Sequence, residues 1–153
     1  MIGTIDYLAF GLGVSSFEGN LAKEFRLSIF TDDLKKTAAP YIGLFSKHMG
    51  IRANRYQSSK AGMLGVKAGS TWRLIRTRYI TLHFTPNIGI AKVSIQDDPW
   101  WGHPENSEKN TDAYEIELVI KIVGIKGFID IGYFKSSFTE FGQGPTLRAG
   151  YLF

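Results

Sequence analysis

The sequence contains no cysteine. Disulfide staples, thiol nucleophiles and thiolate metal sites are thereby excluded. Only 5 of its 153 residues are proline, so extended segments are seldom interrupted. Long apolar runs are missing as well. None reaches the roughly 18–20 residues of a transmembrane helix. Acidic side chains are the minority charge, 14 Asp and Glu against 18 Lys and Arg, for a net +4. Such a balance suits nucleic acid, anionic lipid or no specific partner. The basic residues are scattered along the chain rather than gathered beside aromatics, which argues against nucleic acid. The opening residues 1–6 lack the basic stretch of a secretory signal. Export would therefore require a signal removed ahead of Met1.

What the chain does have is glycine, aromatics and alternation. It carries 17 Gly, and 14% of its residues are aromatic. The clearest stretch runs from Tyr114 to Ile125. Its even positions Tyr114, Ile116, Leu118, Ile120 and Ile122 are apolar, while Glu115, Glu117 and Lys121 occupy odd positions. Period two sends these sets to opposite faces of a strand. The same pattern recurs at Leu8–Val14, Leu21–Ile29, Leu64–Trp72, Ile80–Ile90, Ile129–Tyr133 and Leu147–Phe153. Residues 38–52 are the least clear strand: Ile42 and Leu44 alternate with Tyr41, Gly43 and Phe45, and both faces are mixed. Pro86 interrupts a long strand and predicts a bulge or weak pairing there. Eight strands result, joined by connections at 16–20, 53–60, 97–112 and 138–145 on one side and 32–37, 74–77 and 124–127 on the other. The expected architecture is all-β: one domain over residues 1–153, an eight-stranded antiparallel up-and-down barrel.

Alternation alone fits a soluble barrel or a transmembrane one. The polar face discriminates. It carries small residues, among them Ala9, Gly11, Gly13, Gly43, Gly65, Gly69, Gly89, Gly132 and Gly150, which suit a narrow interior. It also carries nearly balanced charge: Arg26, Lys67, Arg73, Lys121 and Arg148 against Glu24, Glu115, Glu117 and Asp130. Buried charges require such pairing. The chain is thus expected to turn its apolar face to lipid and fill its lumen with side chains, leaving no diffusion pore. A soluble lipocalin-like binder is the alternative.

The ending Leu147-Arg-Ala-Gly-Tyr-Leu-Phe153 resembles the closing strand of bacterial outer-membrane barrels, which end in Phe with an aromatic two residues earlier. Gly150–Phe153 is similar to endings of the small OmpX/Ail-type barrels, and Ile88–Val93 is similar to a mid-barrel strand of that group. The resemblance implies a monomer in the bacterial outer membrane that meets partners through its loops. The strand order and Ile129–Ser137 also resemble, more distantly, the PagL-type lipid A deacylases. That family's catalytic strand carries His-x-Ser-Asn. Here Tyr133, Phe134, Lys135, Ser136 and Ser137 stand in its place, so a serine is present and its histidine base is not.

Candidate sites follow from position. With the N-terminus placed in the periplasm, Lys23, Lys60, Lys92 and Lys135 all fall on the lipid side at the outer ends of strands. With Arg52 and Arg55 they would form a collar for the phosphates of lipopolysaccharide. Trp100, Trp101 and His103 lie in the longest loop and offer a contact surface for a host or phage partner. His83 reads as a hydrogen-bonded interior residue. His48 lies near a rim, and a lipid-modifying activity would need either His48 or His103 as its base. No catalytic set, metal site or cofactor motif is assigned: no histidine pair has ligand spacing, and no glycine motif opens a helix to cradle phosphate.

Overall fold

The computed structural model describes residues 7–17, 20–30, 37–54, 57–98, 109–138 and 142–153. The eight strands are β1 (Tyr7–Phe17), β2 (Asn20–Phe30), β3 (Ala38–Asn54), β4 (Gln57–Arg76), β5 (Thr81–Asp98), β6 (Lys109–Val123), β7 (Gly127–Ser136) and β8 (Gln143–Leu152). Each pairs antiparallel with its chain neighbours, and β8 returns to β1 to close the barrel. Reciprocal bonds between Leu8 and Phe153 seal that seam (3.3 and 2.8 Å). Closure leaves no sheet edge around the barrel wall.

The stagger can be followed residue by residue. From Asp112 the partners run through Lys92, Leu64, Ser46, Phe25, Leu12, Ala149 and Ile129. The path re-enters β6 at Ile122, ten residues along from Asp112. A stagger of this size tilts eight strands by about 40°. The outward residues Tyr114–Ile122 then span about 27 Å along β6 and about 20 Å along the axis. That approaches the roughly 25 Å apolar band of an outer-membrane barrel.

The alternation resolves into an apolar outside. Leu64 is 64% exposed, Ile90 69% and Leu118 52%, and every strand adds apolar residues to this surface. A belt of this extent far exceeds the few hundred Å2 common on soluble monomers. The lumen is layered. Phe45, Met49, Met63 and Val93 pack one end, where the connections 18–19, 55–56, 99–108 and 137–142 lie (the loop end). Phe30, Tyr41, Val123, Phe128 and Leu152 pack the other, where 31–37, 77–80 and 124–126 lie (the turn end). Ionisable side chains fill the space between.

The structure revises several expectations. β3 alternates cleanly after all: Tyr41, Gly43, Phe45, Lys47 and Met49 face in, and Ile42, Leu44, Ser46 and His48 face out. Its pattern is obscured because its inward end is apolar and its outward end polar. β4 extends to Arg76, so the turn expected at 74–77 lies at 77–80, where Thr77 Oγ1 accepts from the Ile80 amide at 3.1 Å. At Pro86 the pairing with β4 lapses as expected, the ladder passing from Gly69↔Asn87 directly to Trp72↔Phe84; no bulge forms there, since both pairs share one register, and the register shift lies between Arg73 and Ile75. Proline fits there because its ring faces outward and its neighbours keep the pairing with β6.

Candidate functional site

Two constellations stand out, one inside the barrel and one on its surface. The inner one is an ion network built from facing strands. Glu117 accepts from Arg26 at 2.7 Å, from Lys67 at 3.1 Å and from Arg148. Glu24 binds Arg26 and Arg148, each at 2.9 Å. Glu115 binds Lys47 at 2.7 Å and also Lys67. Asp130 joins Lys121 at 2.8 Å to Arg148 at 3.3 Å. Three lysines also stack on rings: Lys47 on Phe134, Lys67 on Phe45 and Lys121 on Phe128, at 3.8, 4.4 and 3.9 Å from the centroids. Each charge is therefore met by opposite charge, and three cations also by an aromatic face. The expected set is present except that Arg73 is half-buried beside the β4 irregularity. Lys47 was missed; extending the outward register of Ile42 and Leu44 by period two would have placed it inside. The network holds the strands together and blocks the lumen.

His83 is fully buried, and its Nε2 lies 2.9 Å from Thr81 Oγ1, as expected of an interior histidine. Ser136 and Ser137 serve the backbone: Ser136 Oγ accepts from the Phe138 amide at 3.1 Å, and Ser137 Oγ from the Tyr114 amide at 2.9 Å.

The outer constellation lies on β2, β3 and β4 at the loop end. Lys23 pairs across the sheet with His48, and His48 with Gly62. Lys60 follows on the same face, opposite Gly50. These residues line an open groove of about 510 Å3, with Leu21 and Ser94 on its border. Gly50 and Gly62 leave the room. A Cβ at Gly50 would meet nothing within 4 Å, and one at Gly62 would only touch His48 Nδ1 at 3.5 Å. One step toward the belt, Ser46 Oγ lies 2.8 Å from His48 Nε2. Lys23 also borders an apolar groove of about 630 Å3 lined by Leu12, Val14, Ile129, Leu147 and Ala149.

The four collar lysines are all exposed and all in the loop-end half. They do not form one site. Lys23 and Lys60 share the groove, Lys92 is bound to Asp112 at 2.7 Å, and Lys135 stands on β7. The Arg52 side chain, Arg55, Trp100, Trp101 and His103 lie outside the described residues.

A closed eight-stranded barrel with an apolar exterior and a charge-packed lumen is the architecture of the small outer-membrane barrels. The sequence matches no protein-family model and no curated protein. Among solved structures the chain is similar in fold to Ail, the attachment invasion locus protein of Yersinia pestis. The TM-score is 0.57 at 15% identity, covering 96% of this chain and 95% of that one. It is also similar to the N-terminal β-barrel domain of Pseudomonas aeruginosa OprF (TM-score 0.58, 12% identity, 97% and 98% covered). Neisserial surface protein A gives 0.56 at 11% identity, with 95% and 93% covered. At these identities the likeness concerns the fold.

Proposed function

We propose that this chain is a bacterial outer-membrane barrel that acts at the cell surface or stabilises the membrane, contacts lipopolysaccharide and conducts nothing. The observation that carries the reading is an apolar exterior that ends in lysines on the lipid side of the loop end. An ammonium there costs only about 0–1 kcal/mol, against about 2–4 kcal/mol at mid-bilayer, and its long stem reaches the headgroups. Lys23 stands between an apolar groove and an open cationic one. An anionic amphiphile fits that boundary, with chains on the belt and phosphate on the lysines. From the sequence alone, Arg52 and Arg55 are added as further cations for the lipid phosphates, and Trp100, Trp101 and His103 as the loop contact to a host or phage partner. Ail has been solved in complex with the heparin analogue sucrose octasulfate; a polyanion is also a ligand that the loop-end lysines of this chain would attract. The lumen packing supports the absence of a pore.

The test is to change Lys23, Lys60, Lys92 and Lys135 together to Gln and titrate the refolded barrel with lipopolysaccharide at low salt. A cation close to an anionic surface contributes about 1 kcal/mol, so affinity should fall by at least tenfold. Lys92, which Asp112 already neutralises, should contribute less to the loss than Lys23. Unchanged affinity with the fold intact removes the collar.

A further inference from the structure

We propose that Ser46 and His48 are a nucleophile and its base, and that they cleave a carboxylic ester of an anionic membrane lipid lying in the Lys23–Lys60 groove. The inference rests on the lipid contact proposed above.

The pair has the required geometry. Ser46 Oγ and His48 Nε2 are 2.8 Å apart, within the reach of a serine and its general base. With the imidazole proton on Nδ1, Nε2 accepts the serine hydroxyl. Both residues stand on the outward face of β3, where lipid can reach them. Thr81 and His83 show that the same two-residue spacing also arises structurally. There the histidine is buried in the lumen, whereas His48 opens onto a groove.

Position supplies the second argument. Ser46 lies between Phe25 on β2 and Leu64 on β4, both exposed and apolar. The next outward step places His48 between Lys23 and Gly62, and the step after that places Gly50 beside Lys60. The order toward the rim is therefore apolar belt, serine with histidine, then ammonium groups. An anionic lipid has the matching order: acyl chain, ester, charged headgroup. Seating its chain on Phe25 and Leu64 and its phosphate at Lys23 brings the ester carbonyl to Ser46.

The reaction balances with water as co-reactant. Ser46 Oγ attacks the carbonyl carbon, and its proton passes to His48 Nε2. The tetrahedral oxyanion collapses, the bond to the headgroup alcohol breaks, and His48 returns the proton to that alcohol. Water, deprotonated by His48, then attacks the acyl-Ser46 ester. The fatty acid leaves and the serine hydroxyl is restored. No described carboxylate stands opposite His48 on the adjacent strands, so turnover should be slow.

The experiment uses the refolded barrel in vesicles of phosphatidylglycerol and phosphatidylcholine, with fatty-acid release as the readout. Release should exceed that of empty vesicles. Ser46→Ala and His48→Ala should each lower it by about 100-fold or more, with folding checked by heat-modifiable migration. Ser136→Ala, whose hydroxyl serves the backbone, should leave it unchanged. Independently of any variant, a fluorophosphonate should label the wild-type barrel on the peptide containing Ser46. No release above empty vesicles, release undiminished in folded Ser46→Ala, or labelling confined to another serine would each overturn the proposal. Lipopolysaccharide binding that depends on Lys23 and Lys60 without any hydrolysis would overturn the ester activity and leave the collar standing. Hydrolysis with binding indifferent to those lysines would do the reverse.

Discussion

Lys47 Nζ lies 2.7 Å from Glu115 across the lumen, tying β3 to β6, two strands that share no backbone pairing. Contacts of this kind span the barrel where hydrogen-bond ladders only run around it. Among the described residues, five buried lumen cations, Arg26, Lys47, Lys67, Lys121 and Arg148, meet four carboxylates, Glu24, Glu115, Glu117 and Asp130. The carboxylates are the scarcer partner, and the consequences of substitution follow from that.

Glu117→Ala should be among the most damaging lumen changes. It leaves Arg26, Lys67 and Arg148 without a shared acceptor in a closed interior. Breaking one side of a buried pair costs about 3–5 kcal/mol. Asp112→Ala removes an exposed partner of Lys92 and should cost about 0–1 kcal/mol. Unfolding of the refolded barrel in detergent would compare them; equal losses would place Glu117 in water.

Lys47→Met should be tolerated far better than Glu117→Ala. Glu115 keeps Lys67 as its partner, the remaining charges balance, and a thioether on Phe134 replaces the ammonium. The measurement is the same unfolding midpoint. A loss as large as that of Glu117→Ala would mean that Lys47 is indispensable rather than the surplus cation.

The barrel was legible in the sequence because lipid and lumen impose opposite chemistry on alternate residues. Tyr114–Ile122 states that opposition at every position but Val119, which is apolar and faces the lumen, and Phe153 agrees with it. β3 was obscure because it breaks the rule at both faces: Phe45 and Met49 are apolar plugs inside, and Ser46 and His48 are polar outside. The charge set was legible apart from Lys47, on that same strand, and Arg73, which is only half-buried beside the β4 irregularity. Which lysines share a site was not legible. Parity puts Lys23, Lys60, Lys92 and Lys135 on one side at one end, but grouping depends on cross-strand register. Register sets Lys23 beside His48 and gives Lys92 to Asp112. The Ser46–His48 bond needed a rotamer as well as a spacing.

Glycine positions inside the lumen should tolerate no side chain where a charged stem passes. A Cβ at Gly89 would stand 2.6 Å from Lys67 Cγ and 3.1 Å from a Phe45 ring carbon. Gly89→Val should therefore displace Lys67 from its carboxylates and cost about 1–3 kcal/mol from overpacking alone. Gly50→Ala meets open space and should be neutral or slightly stabilising. The yield of refolded, heat-modifiable barrel would rank the two, and an equal yield would remove the lumen constraint at Gly89.

The final prediction separates membrane from water on the outer face. Leu118 is central in the outward run of β6, between Tyr114 and Ile122, and is half exposed with no protein over it. Leu21 is equally exposed but borders the loop-end groove beside Lys23. In water the two positions are equivalent, and Arg at either should change stability little. In a bilayer they differ: Arg at the midplane costs about 2–4 kcal/mol and Arg near the interface about 0–1 kcal/mol. Leu118→Arg should thus destabilise the barrel in phospholipid vesicles far more than Leu21→Arg does. In detergent micelles, which deform around a charge, the gap should shrink. The wild-type chain refolded without detergent or lipid should aggregate through the same surface. A monodisperse monomer in plain buffer, with both arginine variants indistinguishable from wild type in vesicles, would show that the apolar belt does not meet hydrocarbon.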